Sequence, residues 1–430
     1  MNKPKLGTTL LLSATFTGAF GLTLGARAAH AADKDKSKQH QVSQPFFKPL
    51  KAAQDDEQAG KYQEALAELD KARALPKPTP WDTHLVNELS LLAYSKTNDL
   101  PDLAKALEAT ANDGFTEPAE VNRDLKVLAG VYYQLKDYGK AADYGIRSIK
   151  AGDTDNNTYT LVSQAYYLQN DLKNAAEFTQ QYVNATIQKG QVPKEALLQL
   201  LKSSCLKLND SACVSHSLEQ LVTYYPSPEN WRELMGTDPV LQSKRTESSD
   251  LDMFNAYRLS NDVNALDMPG QYIEMAQFAM EFGSPGEAQQ VLEKGLGSNV
   301  FSDARSRDRA ETLLATAKKQ AVADQASLPK LEQEAAASRT GDKDVGVGIA
   351  YLSYGQYDKA ADLLGEGLMK GSLRNPAQAR LLLGIAQLKA GKKDDALKSF
   401  QAVKGDPALE RLADLWSIHA RGDEHTVASR

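Results

Sequence analysis

An alanine recurs behind a short turn-forming phrase at intervals near 34 residues. Gly60-Lys61-Tyr62 leads to Ala65, Lys136-Asp137-Tyr138 to Ala141, and Asn170-Asp171-Leu172 to Ala175. The phrase returns as Gly283-Ser284-Pro285 before Ala288, Gly355-Gln356-Tyr357 before Ala360, and Gly391-Lys392-Lys393 before Ala396. Ala141 to Ala175 is 34 residues and Ala360 to Ala396 is 36, and the longer gaps of 76, 72 and 113 hold two or three units. A chain with a period of this size stacks copies of one supersecondary unit, so its 430 residues count repeats instead of separate cores.

Each unit reads as two helices. Apolar residues recur at helical spacing before each Ala, as in Leu125, Leu128, Val131, Tyr132 and Leu135, and resume after it, as in Leu363, Leu364 and Leu368. Twelve positions before each Ala stands a small residue: Ala53, Ala129, Ser163, Ala276, Gly348 and Gly384. Small residues on both sides let the two backbones approach closely. An aromatic nine positions before the Ala fills the adjacent gap at Tyr132, Tyr166 and Tyr351. Interpolation predicts further units at 82–115, 194–226 and 229–262 and two polar helices over 302–338, broken at Leu328-Pro329. A closing helix near Leu409–Ala420 carries the apolar stripe Leu412, Leu415, Trp416 and His419, as a terminal cap needs.

This pattern resembles the tetratricopeptide repeat (TPR) family, whose units follow Trp-x2-Leu-Gly-x2-Tyr, Ala-x3-Phe and a closing Pro. Leu383-Gly384 with Ala396 and Phe400 matches best, Pro226 sits where a closing Pro belongs, and Trp231 holds the opening Trp place in one unit. The resemblance implies an all-α fold, an α-solenoid wound as a right-handed superhelix of about nine or ten helix–turn–helix units. It also implies that successive first helices line a concave binding groove. By position that groove takes Arg123, Lys126, Tyr133 and Gln134 from one unit, and Asn157, Thr160, Gln164 and Tyr167 from the next. Tyr and Arg are favoured at binding hot spots. The same positions also read as a plain solvated helix face. Some TPR proteins clamp a peptide's C-terminal carboxylate with Lys, Arg and Asn; Lys126 and Asn157 are present, but the full set is not.

The chain's ends carry different information. Lys3 and Lys5, an uncharged and mostly apolar stretch from Leu6 to Leu24, and Ala29-His30-Ala31 make the three-part layout of a secretory signal peptide cleaved after Ala31. A retained membrane anchor is the alternative. No cysteine lies near the cut and Arg27 stands alone, so neither a lipoprotein nor a twin-arginine signal is expected. Cleavage removes three basic residues and no acidic one, taking the net charge from −6 to −9. That balance argues against nucleic-acid binding. The expected organisation is a leader at 1–31, a disordered lead-in at 32–43, one array at 44–234, a hinge or long loop at 235–250, a second array at 251–420 and a disordered tail at 421–430.

Little in the chain points to chemistry. The six histidines lack metal-ligand spacing, and no H-E-x-x-H, G-x-S-x-G or phosphate-loop motif occurs. Gly346-Val347-Gly348 lies inside a helical pattern. His84, His216 and His419 are expected at helix surfaces or capping a core. No catalytic, cofactor or metal residues are therefore expected, nor stable membrane insertion after cleavage. Cys205 and Cys213 flank the turn at Asn209-Asp210 on antiparallel helices, where an oxidising compartment favours a disulfide; two buried thiols are the alternative.

The functional expectation is a periplasmic scaffold for a protein or peptide partner in a Gram-negative envelope, such as an accessory of a transport or energy-transducing complex. The rival is a glycan or small-ligand binder or enzyme with a site between two arcs. Its only acidic candidates near the hinge are Asp238, Glu247 and Asp250, whose spacing has no helical logic.

Overall fold

The computed structural model describes residues 40–238, 241 and 250–426, and among these run twenty helices and no strand. The expected leader, most of the lead-in, most of 235–250 and the last four residues lie outside the described residues. The chain is an all-α solenoid of helical repeat units.

The helices pack as two compact units, one through Ala175 and one from Ala176 onward. The first unit contains α1 (Gln44–Gln58), α2 (Tyr62–Arg73), α3 (Pro80–Thr97), α4 (Leu100–Asn112), α5 (Pro118–Gln134), α6 (Tyr138–Lys150) and α7 (Asn156–Leu168). The division falls within α8 (Leu172–Gln188). The second unit continues with α9 (Glu195–Leu208), α10 (Ser211–Tyr224), α11 (Pro228–Thr237), α12 (Asp250–Asp262), α13 (Pro269–Glu281) and α14 (Pro285–Gly297). It ends with α15 (Ala304–Ala336), α16 (Asp342–Ser353), α17 (Tyr357–Lys370), α18 (Pro376–Lys389), α19 (Lys393–Gln401) and α20 (Pro407–Thr426).

The turn phrase has one cause wherever it occurs. Gly60, Asn98, Lys136, Asn170, Asn209, Gly283, Gly355 and Gly391 all take a left-handed backbone, with φ between 56° and 79°. The following residue then turns its N–H back to the carbonyl five positions earlier, as Asp137 does to Tyr132 at 2.9 Å and Gln356 to Tyr351 at 3.0 Å. This bond pattern ends a helix by satisfying its last carbonyls. Four residues on, the position held by Ala in six of these turns starts the second helix's own ladder, Ala141 N–H donating to Asp137 O at 2.9 Å. Proline at the first turn opens α1, α3, α4, α5, α11, α13, α14 and α18, where its missing N–H costs nothing.

Close approach explains the small residues. Ala53, Ala65, Ala129 and Ala141 are fully buried. A Cβ added to Gly384 would lie 2.4 Å from the Phe400 ring, and one at Gly348 would lie 2.9 Å from Leu364 Cγ. No side chain fits at either.

Two expectations change. Residues 302–338 do not form two helices: α15 runs unbroken through Pro329 for 33 residues. Burial of Ala317, Ala321, Leu328 and Ala335 against the neighbouring helices outweighs the local defect that proline makes. The expected arrays 44–234 and 251–420 are also not the units that form. The boundary lies at 175/176, and α10, α11 and α12, on both sides of 235–250, belong to one unit. The cause is the closing helix. α20 packs not only on α18 and α19 but also on α10 and α12, so the second unit closes on itself. Leu412, Leu415 and Trp416, expected to cap an end, are fully buried there, and the helix extends beyond Ala420 to Thr426.

Candidate functional site

The expected groove residues all lie in the first unit, on α5 and on α7, Gln134 and Tyr167 among the last residues of each. Each of these helices is a first helix of a hairpin and the two touch directly. Leu125, Leu128, Ala129, Val131 and Tyr132 turn into the core on α5, as do Leu161, Val162 and Ala165 on α7. Residues one position round from these then fall on a shared outer face.

Two of the eight meet there. Tyr133 Oη donates to Gln164 Oε1 at 3.1 Å, and the Tyr133 ring stands edge-on to Tyr138, with centroids 5.5 Å apart. Burial, with the Tyr138 hydroxyl nearby, pushes the Tyr133 phenol above its ordinary pKa, so it remains a donor. Lys126 Nζ reaches Asp155 at 2.5 Å, with Asp153 at 3.8 Å; Asp155 also caps α7 by accepting from Asn157 N–H at 2.8 Å. Arg123 is exposed and pairs with Glu120 at 3.1 Å on its own helix. Gln134 and Asn157 are exposed and Tyr167 is half-buried. Thr160 does not join them: it is buried, and its hydroxyl donates to Asn156 O at 2.7 Å. The face is therefore polar, rich in side-chain amides, and braced from one repeat to the next.

In six hairpins a small residue on the first helix and an Ala on the second recur at one spacing, and first helices of neighbouring hairpins touch at α1 with α3 and at α5 with α7. In this arrangement the repeats resemble those of TPR proteins.

No protein-family model matches the chain, and no curated protein does. Among solved structures, the chain is similar to the TPR2AB domain:pHSP90 complex of yeast Sti1, with 15% identity over 64% of this chain and 98% of that chain and a TM-score of 0.31. It is similar to the maize pentatricopeptide repeat protein PPR10, with 15% identity, 90% and 57% coverage and a TM-score of 0.28. It is similar to yeast Tom70, with 12% identity, 91% and 97% coverage and a TM-score of 0.24.

The helical frame also holds groups that spacing alone did not single out. Tyr132, expected only to fill a gap, donates to Glu108 Oε1 at 2.6 Å; Tyr144 does so at 2.8 Å and Lys140 at 3.2 Å. Burial works against the Glu108 charge, but these three donors outweigh it and hold the carboxyl below its usual range. Tyr351 repeats the device with Lys359, 2.9 Å away, which pairs with Glu332. The signal was a Lys eight residues after the Tyr. His84 is likewise no surface residue. It is buried between Glu88 at 3.1 Å and Asp113 at 2.8 Å and stacks on Trp81. Burial lowers its pKa, but the two carboxylates more than reverse this and keep it protonated above its usual range. His216 stays largely exposed, and His419 donates towards Asp262. Cys205 and Cys213 form a disulfide across the Asn209 turn, with Cα atoms 5.6 Å apart. Among the described residues no His, Cys, Asp and Glu group is set to hold a metal ion, and no helix is long and apolar enough to cross a membrane.

Proposed function

We propose that this protein is a non-enzymatic interaction scaffold that docks an extended protein segment on the shared face of α5 and α7. The observation that carries this reading is the Tyr133–Gln164 bond between two successive first helices. It fixes a tyrosine and an amide in advance, so less side-chain entropy is lost when a partner binds. Gln134, Asn157 and Gln164 each offer a donor and an acceptor, the pair that a peptide backbone requires. Tyr133 and Tyr167 supply broad contact area at low entropic cost. Exposed Arg123 adds a cation at the edge of the same face.

The compartment is part of the proposal: cleavage after Ala31 releases the chain into a Gram-negative periplasm, where the partner belongs to an envelope transport or energy-transducing complex. Cell fractionation with N-terminal sequencing should find a periplasmic chain beginning at Ala32; a chain still beginning at Met1 would overturn that placement. Full-length tagged protein should recover one stoichiometric partner from envelope extracts. Tyr133→Ala combined with Tyr167→Ala should lower recovery at least tenfold while circular dichroism stays helical. Undiminished recovery by that folded double variant would sink the groove assignment.

A further inference from the structure

The start of α3 gathers two other stretches of the first unit. His84 is 4% exposed and lies on the Trp81 ring, with centroids 4.9 Å apart. Phe115, from the loop between α4 and α5, packs on both rings, 5.4 Å from His84 and 5.3 Å from Trp81. His40, from the chain before α1, stacks on Trp81 at 4.5 Å and stands edge-on to Phe115 at 5.6 Å. Beside Trp81, Asp82 accepts from the Ser43 N–H at 2.9 Å and from the Ser43 hydroxyl at 2.7 Å. The chain before α1 and the α4–α5 loop are thus both fastened to α3. Pro118 opens α5 three residues past Phe115, so the fastened loop is the entry to that helix.

Both nitrogens of the buried ring face a carboxylate. His84 Nε2 lies 3.1 Å from Glu88 Oε2, one turn on along α3, and Nδ1 lies 2.8 Å from Asp113 Oδ2 at the end of α4. Asp113 extends the contact into the loop, its other oxygen accepting from the Phe115 N–H at 2.9 Å. A neutral imidazole has one N–H and one lone pair, so only the cation donates to both carboxylates. A charged ring also gains from lying on an indole face. Losing the proton turns one of the two charge-assisted bonds into a lone pair facing a carboxylate oxygen, where burial leaves little water to screen it. The same reach of 29 residues recurs in Lys126 with Asp155 and in Arg258 with Glu287. Those cations keep their charge near neutral pH; an imidazole gives it up there.

We propose that His84 makes this joint a pH-sensitive latch: the imidazolium locks the α4–α5 loop onto α3, and loss of its proton releases the loop. Among the described residues, Glu88 from α3 and Asp113 from the end of α4 are the charged groups acting on the ring, and His40 is the other titratable group of the cluster. Burial disfavours the charge, but Glu88 and Asp113 more than reverse this and raise the ring above its ordinary 6.5. The stabilisation is therefore complete below 6.5 and is lost as pH rises through the higher folded value.

NMR titration of the histidine-labelled full chain tests the latch, together with amide hydrogen exchange. The ring signal that His84→Gln removes should titrate above 6.5, and Asp113→Asn and Glu88→Gln should each lower it. Corrected for its intrinsic pH dependence, exchange at the Phe115 amide and across 113–117 should speed up between about pH 5.5 and 8.5. The gain should be about tenfold for each pH unit that separates the folded and unfolded titrations. His84→Gln should exchange fast at both pH values. Should that variant unfold, Asp113→Asn, at a partly exposed position, should by itself remove most of the response. His40→Phe keeps a ring on Trp81 that does not titrate, and it should respond as the parent does. Glu57 on α1 weakens the fold over part of the same range, so the series is repeated with Glu57→Gln, which should leave the response at 113–117 in place. A His84 ring titrating at or below 6.5, or parent exchange at 113–117 that ignores pH, would overturn the proposal. So would a response that survives Asp113→Asn, or one that His40→Phe or Glu57→Gln abolishes.

Discussion

Two side chains carry a measurable cost where the repeat is tightest or driest. Ser163 occupies the small position that Ala53, Ala129 and Ala276 fill in other units, and its hydroxyl is fully buried with no partner. Removing an unsatisfied buried hydroxyl relieves its desolvation without opening a large void. Ser163→Ala should therefore raise the free energy of unfolding by about 1 kcal/mol, read as a higher urea midpoint at unchanged slope. A lower midpoint would mean that the hydroxyl has a partner. Glu57 is the second case. Burial raises its carboxyl to about 7 from an ordinary 4.5, partly offset by a hydrogen bond from the Ala93 backbone. Between about pH 4.5 and 7 the folded chain holds a proton here that the unfolded chain has released. Stability from this group is therefore greatest below that window and falls as pH rises through it. Glu57→Gln should flatten this segment of a stability-against-pH curve; an unchanged slope would assign it to other groups. Both positions show the limit of reading residues from pattern. The period located Ser163 at a small-residue site, but whether an Oγ finds a carbonyl is a matter of tenths of an ångström that periodicity does not encode.

At the scale of elements, turn chemistry was the most legible feature because it is local. A Gly or Asn two residues before the second helix marks a left-handed residue in seven of these eight turns, and in the eighth Lys136 takes that conformation with a long side chain. Units at Asn98 and Asn209 were found by interpolation alone, because Leu103 and Val214 stand where the other units have Ala. Proline misled in α15, since its local effect is certain while the packing that overrides it is not local. Pro329 itself is exposed, so the conflict is open to test. Within a helix proline forgoes one backbone bond and crowds the preceding turn, at about 3 kcal/mol relative to alanine. Pro329→Ala should stabilise the chain by up to about 3 kcal/mol and slow amide exchange at residues 325–333. Unaltered exchange there would mean that the helix has already absorbed the defect by bending. Helical spacing also places Tyr133 and Tyr167, 34 residues apart, in equivalent registers. Thr160 was misplaced because a short hydroxyl on a helix can satisfy itself on its own backbone.

For the molecule as a whole, the closure of the second unit was not legible, because it joins residues nearly two hundred positions apart that no period relates. Arg411 on α20 makes that closure specific. It bonds Asp238 Oδ2, at 2.7 Å from Nε, and Glu219 on α10; Ser215, 3.4 Å away, completes the set. Asp238, which by sequence was a carboxylate candidate for a hinge site, is fully buried and serves this contact instead. Burial opposes the Arg411 charge, but the two carboxylates more than compensate and hold it protonated. A buried pair adds little against an apolar substitute, yet removing one partner strands the other's charge. Arg411→Ala should therefore cost about 3–5 kcal/mol, whereas Arg411→Met with Asp238→Leu should recover most of it. Hydrogen exchange read helix by helix distinguishes two ways of losing that stability. If the ring is one cooperative element, α10, α12 and α20 lose protection together. If α20 is merely a cap, it frays alone while α10 and α12 keep their protection. The second result would return the chain to an open stack whose last helix covers only its neighbour. The first would mean that α20 is integral to the packing of the second unit, holding α10 and α12 as firmly as it holds its neighbours in sequence.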